Sequence, residues 1–384
     1  MERRNFLRLT VTGAAATALG GAAWDQALAA GKFVVTGPYG ALGTADANGI
    51  ALPSGFTSRV IARTGQTVAS SSYTWHDAPD GGACFVDGSG WIYVSNSEIG
   101  ATGGAGSVTF DSAGNITGAR RILSNTDRNC AGGATPWGTW LSGEEVATGY
   151  VWETDPWGVN AAVVRPAMGR FTHEACAADP DHGYVYLTED VTDSGFYRFK
   201  PTSWGDLSAG TLEVMVGDTA LTNGAVSWAV VPEPDGSPTA TRYQVAGTKR
   251  FNGGEGCYYA AGTCWFTTKG DNRVWAYDAT TSRVSLAYDP TRLRQSPLSG
   301  VDNVTRSEGG DLFVAEDGGN MEICLITPEG MVSPFVRISG QSSSEICGPA
   351  FSPDGTRLYF SSQRGTTGSS SGGITYEVKG PFRA

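Results

Sequence analysis

Short apolar and aromatic runs, each opened by a glycine turn and most of them closed by acid, recur six times along the chain. They are Gly90–Glu98 (GWIYVSNSE), Gly138–Glu145 (GTWLSGEE), Gly183–Asp190 (GYVYLTED), Gly262–Asp271 (GTCWFTTKGD), Gly310–Asp317 (GDLFVAED) and Gly355–Gln363 (GTRLYFSSQ). Their starts are spaced by 48, 45, 79, 48 and 45 residues. Runs this short, rich in aromatic and β-branched residues and bounded by Gly, Ser and Asp, predict strands. A period of about 40–50 residues with several strands per unit predicts a β-propeller blade. With the double-length interval read as one blade carrying an insertion, the expected architecture is all-β, a six-bladed β-propeller. Equivalent positions of all blades would then converge on one channel.

A second short segment precedes each repeated strand, and it often opens with a residue able to hold a metal. The series is Asp80 (DGGACF), Cys130 (CAGGATP), Glu174 (EACAAD), Glu255 (EGCYYA) and Asp302 (DNVTRS), with Glu345 (EICGPAF) a less well aligned sixth. Each blade therefore begins with one candidate ligand and ends its next strand with another, such as Glu98 or Glu144-Glu145. Acids at such places also cap turns or accept backbone hydrogen bonds without further function. That reading weakens at Glu174, Glu255 and Asp302, which sit in apolar or glycine-rich surroundings where a buried carboxylate needs a cation.

Composition narrows the chemistry. The chain has 27 Lys+Arg against 38 Asp+Glu, so protein cations cannot pair every acid, and the net charge of −11 argues against nucleic acid. Only three histidines are present, which nearly excludes an all-histidine zinc site. Of these, His173 alternates out of phase with Glu174, and His182 lies in a turn. Carboxylate oxygens suit Ca²⁺, Mg²⁺ or Fe³⁺, and a single thiolate adds a transition metal. No nucleophile elbow, P-loop or paired-cysteine zinc spacing occurs. The 11 Trp are expected to serve blade packing.

The N-terminus reads as a targeting segment. Arg3-Arg4-Asn5-Phe6-Leu7 resembles a twin-arginine signal, with a mild apolar stretch and Ala27-Leu28-Ala29 after it. Residues 1–30 are expected to be the signal, recognised by the twin-arginine export machinery. Residues 31–384 are expected to form a single propeller domain with an enlarged blade at about 191–261. The apolar stretch is too short for stable membrane insertion, so an exported, monomeric protein is expected. Seven cysteines in an exported chain should mostly pair. Cys257–Cys264, Cys324–Cys347 and Cys84–Cys176 are possible disulfides, with Cys130 left over. A closing strand at Ile374–Val378 is expected to join one near Phe33–Val35.

Several motifs resemble the PhoX family of exported alkaline phosphatases. They are Arg128-Asn129-Cys130-Ala131-Gly132-Gly133, Thr135-Pro136-Trp137-Gly138-Thr139-Trp140, Ser142-Gly143-Glu144-Glu145, Gly169 to Glu174 (GRFTHE), Tyr186 to Asp190 (YLTED), Asp302-Asn303, Glu316-Asp317-Gly318 and Phe351 to Gly355 (FSPDG). The resemblance implies iron and calcium (Fe³⁺ and Ca²⁺) clustered at the channel mouth. Candidate metal ligands are Cys130, Glu174, Asp190, Glu255 and Asp302, joined by Glu98, Glu144 and Glu345. It implies hydrolysis of a phosphomonoester substrate, with a metal-bridging oxo or hydroxo group attacking phosphorus and no protein nucleophile. Glu255, also a candidate ligand, and Arg250 are the expected catalytic residues. Family members often carry Arg two residues before Glu255, where this chain has Gly253. Arg250, or Lys249, is the expected substitute. Two other readings remain open: a calcium-dependent propeller hydrolase of a phosphodiester or lactone, and a secreted binding module without catalysis.

Overall fold

A computed structural model describes residues 36–293 and 296–384. The expected export signal and Phe33–Val35 lie outside the described residues.

Glycine-bounded apolar runs form strands as predicted, and the strands assemble into six antiparallel sheets of four or five strands. The inner strands are Pro79–Asp87, Asn129–Ala134, His173–Asp179, Gly254–Ala260, Val301–Arg306 and Ile346–Phe351. Each packs against the inner strand of the next blade, and the sixth packs against the first, so the ring is a closed six-bladed β-propeller. The repeated apolar runs are the second strands, Gly90–Ser97, Trp140–Glu144, Tyr184–Glu189, Thr263–Thr268, Leu312–Glu316 and Arg357–Ser362. The long interval before the fourth inner strand carries three more strands of the third blade, Phe196–Ser203, Asp206–Val216 and Ser227–Val230, and a short outer strand of the fourth, Gly224–Ala225.

The core lies between blades, where aromatics of the second and third strands of neighbouring sheets meet. Phe196 stacks on Phe266 with centroids 4.1 Å apart, joining third and fourth blades, and Tyr93 stacks on Tyr359 at 5.0 Å, joining first and sixth. Burial of such side chains contributes roughly 1.5–3 kcal/mol each. The inner strands are packed closely enough to require glycine. A Cβ on Gly133 would lie 2.0 Å from the carbonyl oxygen of Cys176, and one on Gly256 2.6 Å from the Asn303 Cα.

Ring closure uses the C-terminal strand, with a different partner from the expected one. Ile374–Lys379 pairs with Thr57–Arg63, whose seven residues supply a full edge strand for the sixth blade. All seven cysteines are free thiols in this structure. Cys257 and Cys264 face each other across neighbouring strands with sulfurs 3.3 Å apart. Cys324 and Cys347 point to different backbone carbonyls, of Pro297 and Pro79. Among the described residues, no helix is long and apolar enough to cross a membrane.

Candidate metal centre at the channel mouth

The inner strands share an irregularity that aims side chains at the channel mouth. In five blades the ladder skips two residues at the same place: Asp80-Gly81, Cys130-Ala131, Glu174-Ala175, Glu255-Gly256 and Asp302-Asn303. A β-bulge of this kind turns a side chain out of the pleat. In the sixth blade the skip falls one residue later, so Cys347 stays in the ladder opposite Ser361 and donates its thiol to the Pro79 carbonyl. Cys347, rather than Glu345, therefore holds the sixth equivalent position.

A second ring lies at the ends of the second strands. Glu98, Glu145, Asp190, Lys269, Asp317 and Gln363 each donate a backbone N–H to the carbonyl two residues before the inner-ring position, at 2.7 to 3.1 Å. Three donor groups follow from the two rings: Asp80, Glu98 and Cys130; Cys130, Glu145 and Glu174; Glu174, Glu255 and Asp302. Within each group the ligand atoms lie no more than 4.8 Å apart. Asp190 reaches the same region through Lys269, and Glu345 lies beside Asp317 and Glu98 with Arg364 2.9 Å from it.

Strand alternation separates neighbouring acids. Glu144 is turned away, its carboxylate accepting the N–H groups of Asp127 and Tyr150, and it is Glu145 that meets Cys130 and Glu174. The nomination of Glu144 is thus corrected to its neighbour. Glu189 and Glu316 behave like Glu144 and fasten loops, whereas Asp190 and Asp317 face the mouth. Asp271, the acid closing the fourth repeat, pairs with Arg273 instead.

Arg250 does not reach the cluster: its guanidinium lies over Tyr243 and donates to the Asp193 carbonyl. Lys249 is buried and gives its ammonium to the carbonyls of Asp218 and Leu221. The cations at the mouth are Lys269 and Arg364, which no spacing in the sequence marked. His173 turns into the third blade against Phe171, its Nε2–H donating to the Gly169 carbonyl, as its alternation with Glu174 predicted. His182 pairs with Asp179 in its turn.

Polar side chains buttress the bulges from neighbouring blades. Asn96 donates to the carbonyls of Cys130 and Ala131, while its own oxygen accepts from Trp140 and Ser142. Thr188 donates to the Glu255 carbonyl and Thr267 to that of Asp302. The Asn303 amide donates to Asp302 and Glu174 and accepts from Gly348, while that of Gln363 spans Asp80 and Glu98. Below this cluster the channel is a cavity of about 310 Å³ walled by small residues such as Gly82, Ala131 and Ala175.

Electrostatically the acids at the mouth outnumber its cations, Lys269 and Arg364. Burial, followed by the charges of neighbouring acids, holds the carboxyls of Asp80, Glu174 and Asp302 well above their ordinary range. Glu145 and Glu345 are pushed up to about 8, again by burial first. Burial and then the Asp80 charge raise the Cys130 thiol. Glu174 is 1 % exposed and its Oε2 has no hydrogen-bond partner. An orphaned buried carboxylate oxygen beside a thiol and further carboxylates is the donor set of a cation, and these residues fit calcium and a thiophilic transition metal such as iron.

Comparison with known proteins agrees with this fold. The fold is similar to that of Pseudomonas fluorescens PhoX in complex with vanadate, described as a transition state analogue. That match has a TM-score of 0.72 and 16% identity, over 88% of this chain and 97% of that one. A Bacteroides thetaiotaomicron protein of unknown function is similar at a TM-score of 0.52 and 9% identity, over 84% of this chain and 76% of that one. No curated protein sequence matches. A family model described as alkaline phosphatase PhoX matches residues 93–291, just over half of the chain and including the Cys130, Glu174 and Glu255 bulges, and the chain belongs to the PhoX family.

Proposed function

We propose that this protein is an exported, calcium- and iron-dependent phosphatase acting on phosphomonoesters at the channel mouth. The observation that carries the reading is the orphaned Glu174 Oε2 amid donors that converge from separate blades. Family membership supports a hydrolase, and the reading adds substrate class and metal identity.

In this reading Asp80, Cys130, Glu174, Glu255 and Asp302 hold the cations, with Glu98, Glu145 and Asp190 at the periphery. Bound cations would neutralise phosphoryl charge and acidify water at the site. The chain itself supplies orientation. The bulges fix where each carboxylate points, and the amides of Asn303 and Gln363 hold adjacent acids at set spacing. Such outer-shell partners typically change metal affinity 10–100-fold when removed, by analogy with other sites. No side chain needs to act as nucleophile. Export through the twin-arginine route, which carries folded cargo, is part of the same proposal.

Elemental analysis of natively exported protein tests the reading. Iron and calcium in stoichiometric amounts, with iron lost on Cys130→Ser, and turnover of a phosphomonoester support it. Calcium alone, with turnover only of a phosphodiester or lactone, would move the chain to the other hydrolase class.

A further inference from the structure

We propose that Lys269 is a substrate-binding residue whose ammonium contacts the phosphoryl oxygens of the ester once the mouth holds its cations; this rests on the phosphatase reading above. The argument starts from equivalence. Six residues occupy one structural position, each donating its backbone N–H to the carbonyl just ahead of an inner bulge. Four are acids (Glu98, Glu145, Asp190 and Asp317), one is the neutral Gln363, and the fourth blade alone carries a cation. At a position built to collect cations, a lysine weakens metal binding by like-charge repulsion. A role toward an anion accounts for it.

Its surroundings fit that role. The ammonium lies 2.7 Å from Glu255, 3.4 Å from Asp190 and 3.5 Å from Asp317, so it bridges acids of three blades above the inner ring. The side chain is 38% exposed, so it borders the solvent side from which a substrate arrives. Its stem packs beside Gly253, where a Cβ would stand 3.8 Å from that of Lys269 and 3.1 Å from Asp190 Oδ1. Bare backbone there leaves the lysine room to turn. When a metal takes the Glu255 carboxylate, the ammonium loses its nearest partner and is repelled by the new charge. An N–H donor released from Glu255 would be available to a phosphoryl oxygen, while Asp190 and Asp317 keep the ammonium at the mouth. As a point charge on a flexible stem it accepts varied phosphoryl orientations, unlike a planar guanidinium.

The test uses the full-length, metal-loaded protein with inorganic phosphate as the probe, read by calorimetry alongside elemental analysis. Lys269→Met should weaken phosphate binding roughly 10- to 100-fold, the loss expected for one charge-assisted hydrogen bond. It should keep its metals and bind added Ca²⁺ at least as tightly as the parent. Lys269→Arg should restore phosphate binding to within a few-fold. Parental phosphate affinity in Lys269→Met overturns the inference and leaves the phosphatase reading standing. So does loss of metal together with phosphate in both variants, which would make Lys269 a structural counter-ion. If the parent protein, fully loaded, neither binds phosphate nor hydrolyses a phosphomonoester, the phosphatase reading falls and takes the inference with it.

Discussion

Two groups of possible metal ligands in this protein each have their ligand atoms within 4.8 Å of one another, yet they are chemically opposite. At the mouth, Glu174, Glu255 and Asp302 come from three blades. In the fifth blade, Glu316, Glu322 and Cys324 form a group within the same 4.8 Å limit. There, every carboxylate has work already. Glu316 accepts from the N–H groups of Ser299 and Glu322, and Glu322 accepts from Arg337 and from the Cys324 thiol. At the mouth, Glu174 Oε2 accepts nothing. Proximity of donors is therefore a poor mark of a metal site; the count of partners already satisfied separates the two.

The largest test of this contrast opens the ring. The fifth-blade group is built from one sheet and its adjoining loop, whereas the mouth exists only if six blades close. Removing residues 375–384 deletes most of the closing strand, including the fully buried Tyr376 and Val378. Their burial alone is worth roughly 3–6 kcal/mol. The truncated protein should melt well below the parent and bind no calcium, as read by thermal unfolding and calorimetry.

Single substitutions come next. Glu174→Gln should lower turnover of a phosphomonoester more than about 100-fold, beyond the 10–100-fold of outer-shell partners. Its metal-free melting temperature should be unchanged or higher, because an unpartnered buried acid is removed. Glu316→Gln should do the reverse. It deprives one buried N–H of its acceptor at a cost of about 1–3 kcal/mol, while metal content stays at the parental level. Equal metal loss in both would erase the distinction.

Acidity sharpens the comparison further. Glu145 and Glu345 titrate near 8 in the folded, metal-free protein, so the folded state holds protons that the unfolded chain has released. Their contribution to stability is present in full below the ordinary carboxyl range and is lost as pH rises through 8. Melting curves in chelator should fall across that window, and saturating Ca²⁺ should flatten the fall. Calcium binding at pH 7 should also release protons, measurable as a dependence of the calorimetric heat on buffer ionisation. The smallest expected effect distinguishes neighbours: Glu145→Gln weakens metal binding, whereas Glu144→Gln leaves it within a few-fold and lowers the melting temperature by loosening the Asp127 and Tyr150 turn.

Much of this site was legible before the fold. Asp80, Cys130, Glu174, Glu255 and Asp302 stand at one offset from each repeat because blades share a plan, and the structure brings all five to the mouth. Glu345 lies beside Asp317 and Glu98 but outside the ring, since the sixth bulge is displaced by one residue. Arg250 failed because strand geometry, not distance along the chain, decides reach: five residues from Glu255, it faces Tyr243 and Asp193 instead. Lys269 escaped notice because the acid two residues later, Asp271, looked like the repeat's natural end. For the cysteines composition suggested pairing, yet Cys324 and Cys347 point to different backbone carbonyls, while Cys257 and Cys264 do face each other.

By itself the sequence determined the period, the strands and the chemical identity of the donors, because alternation, glycine turns and residue type are local properties. Only the tertiary structure decided which of two adjacent acids faces the mouth, which cations arrive there, and which carboxylate is left without a partner. The physical reason is that a strand reverses its side chains at every residue, and a single bulge reverses that order again. Facing is thus set by how six ladders register around one ring, which no stretch of chain specifies alone.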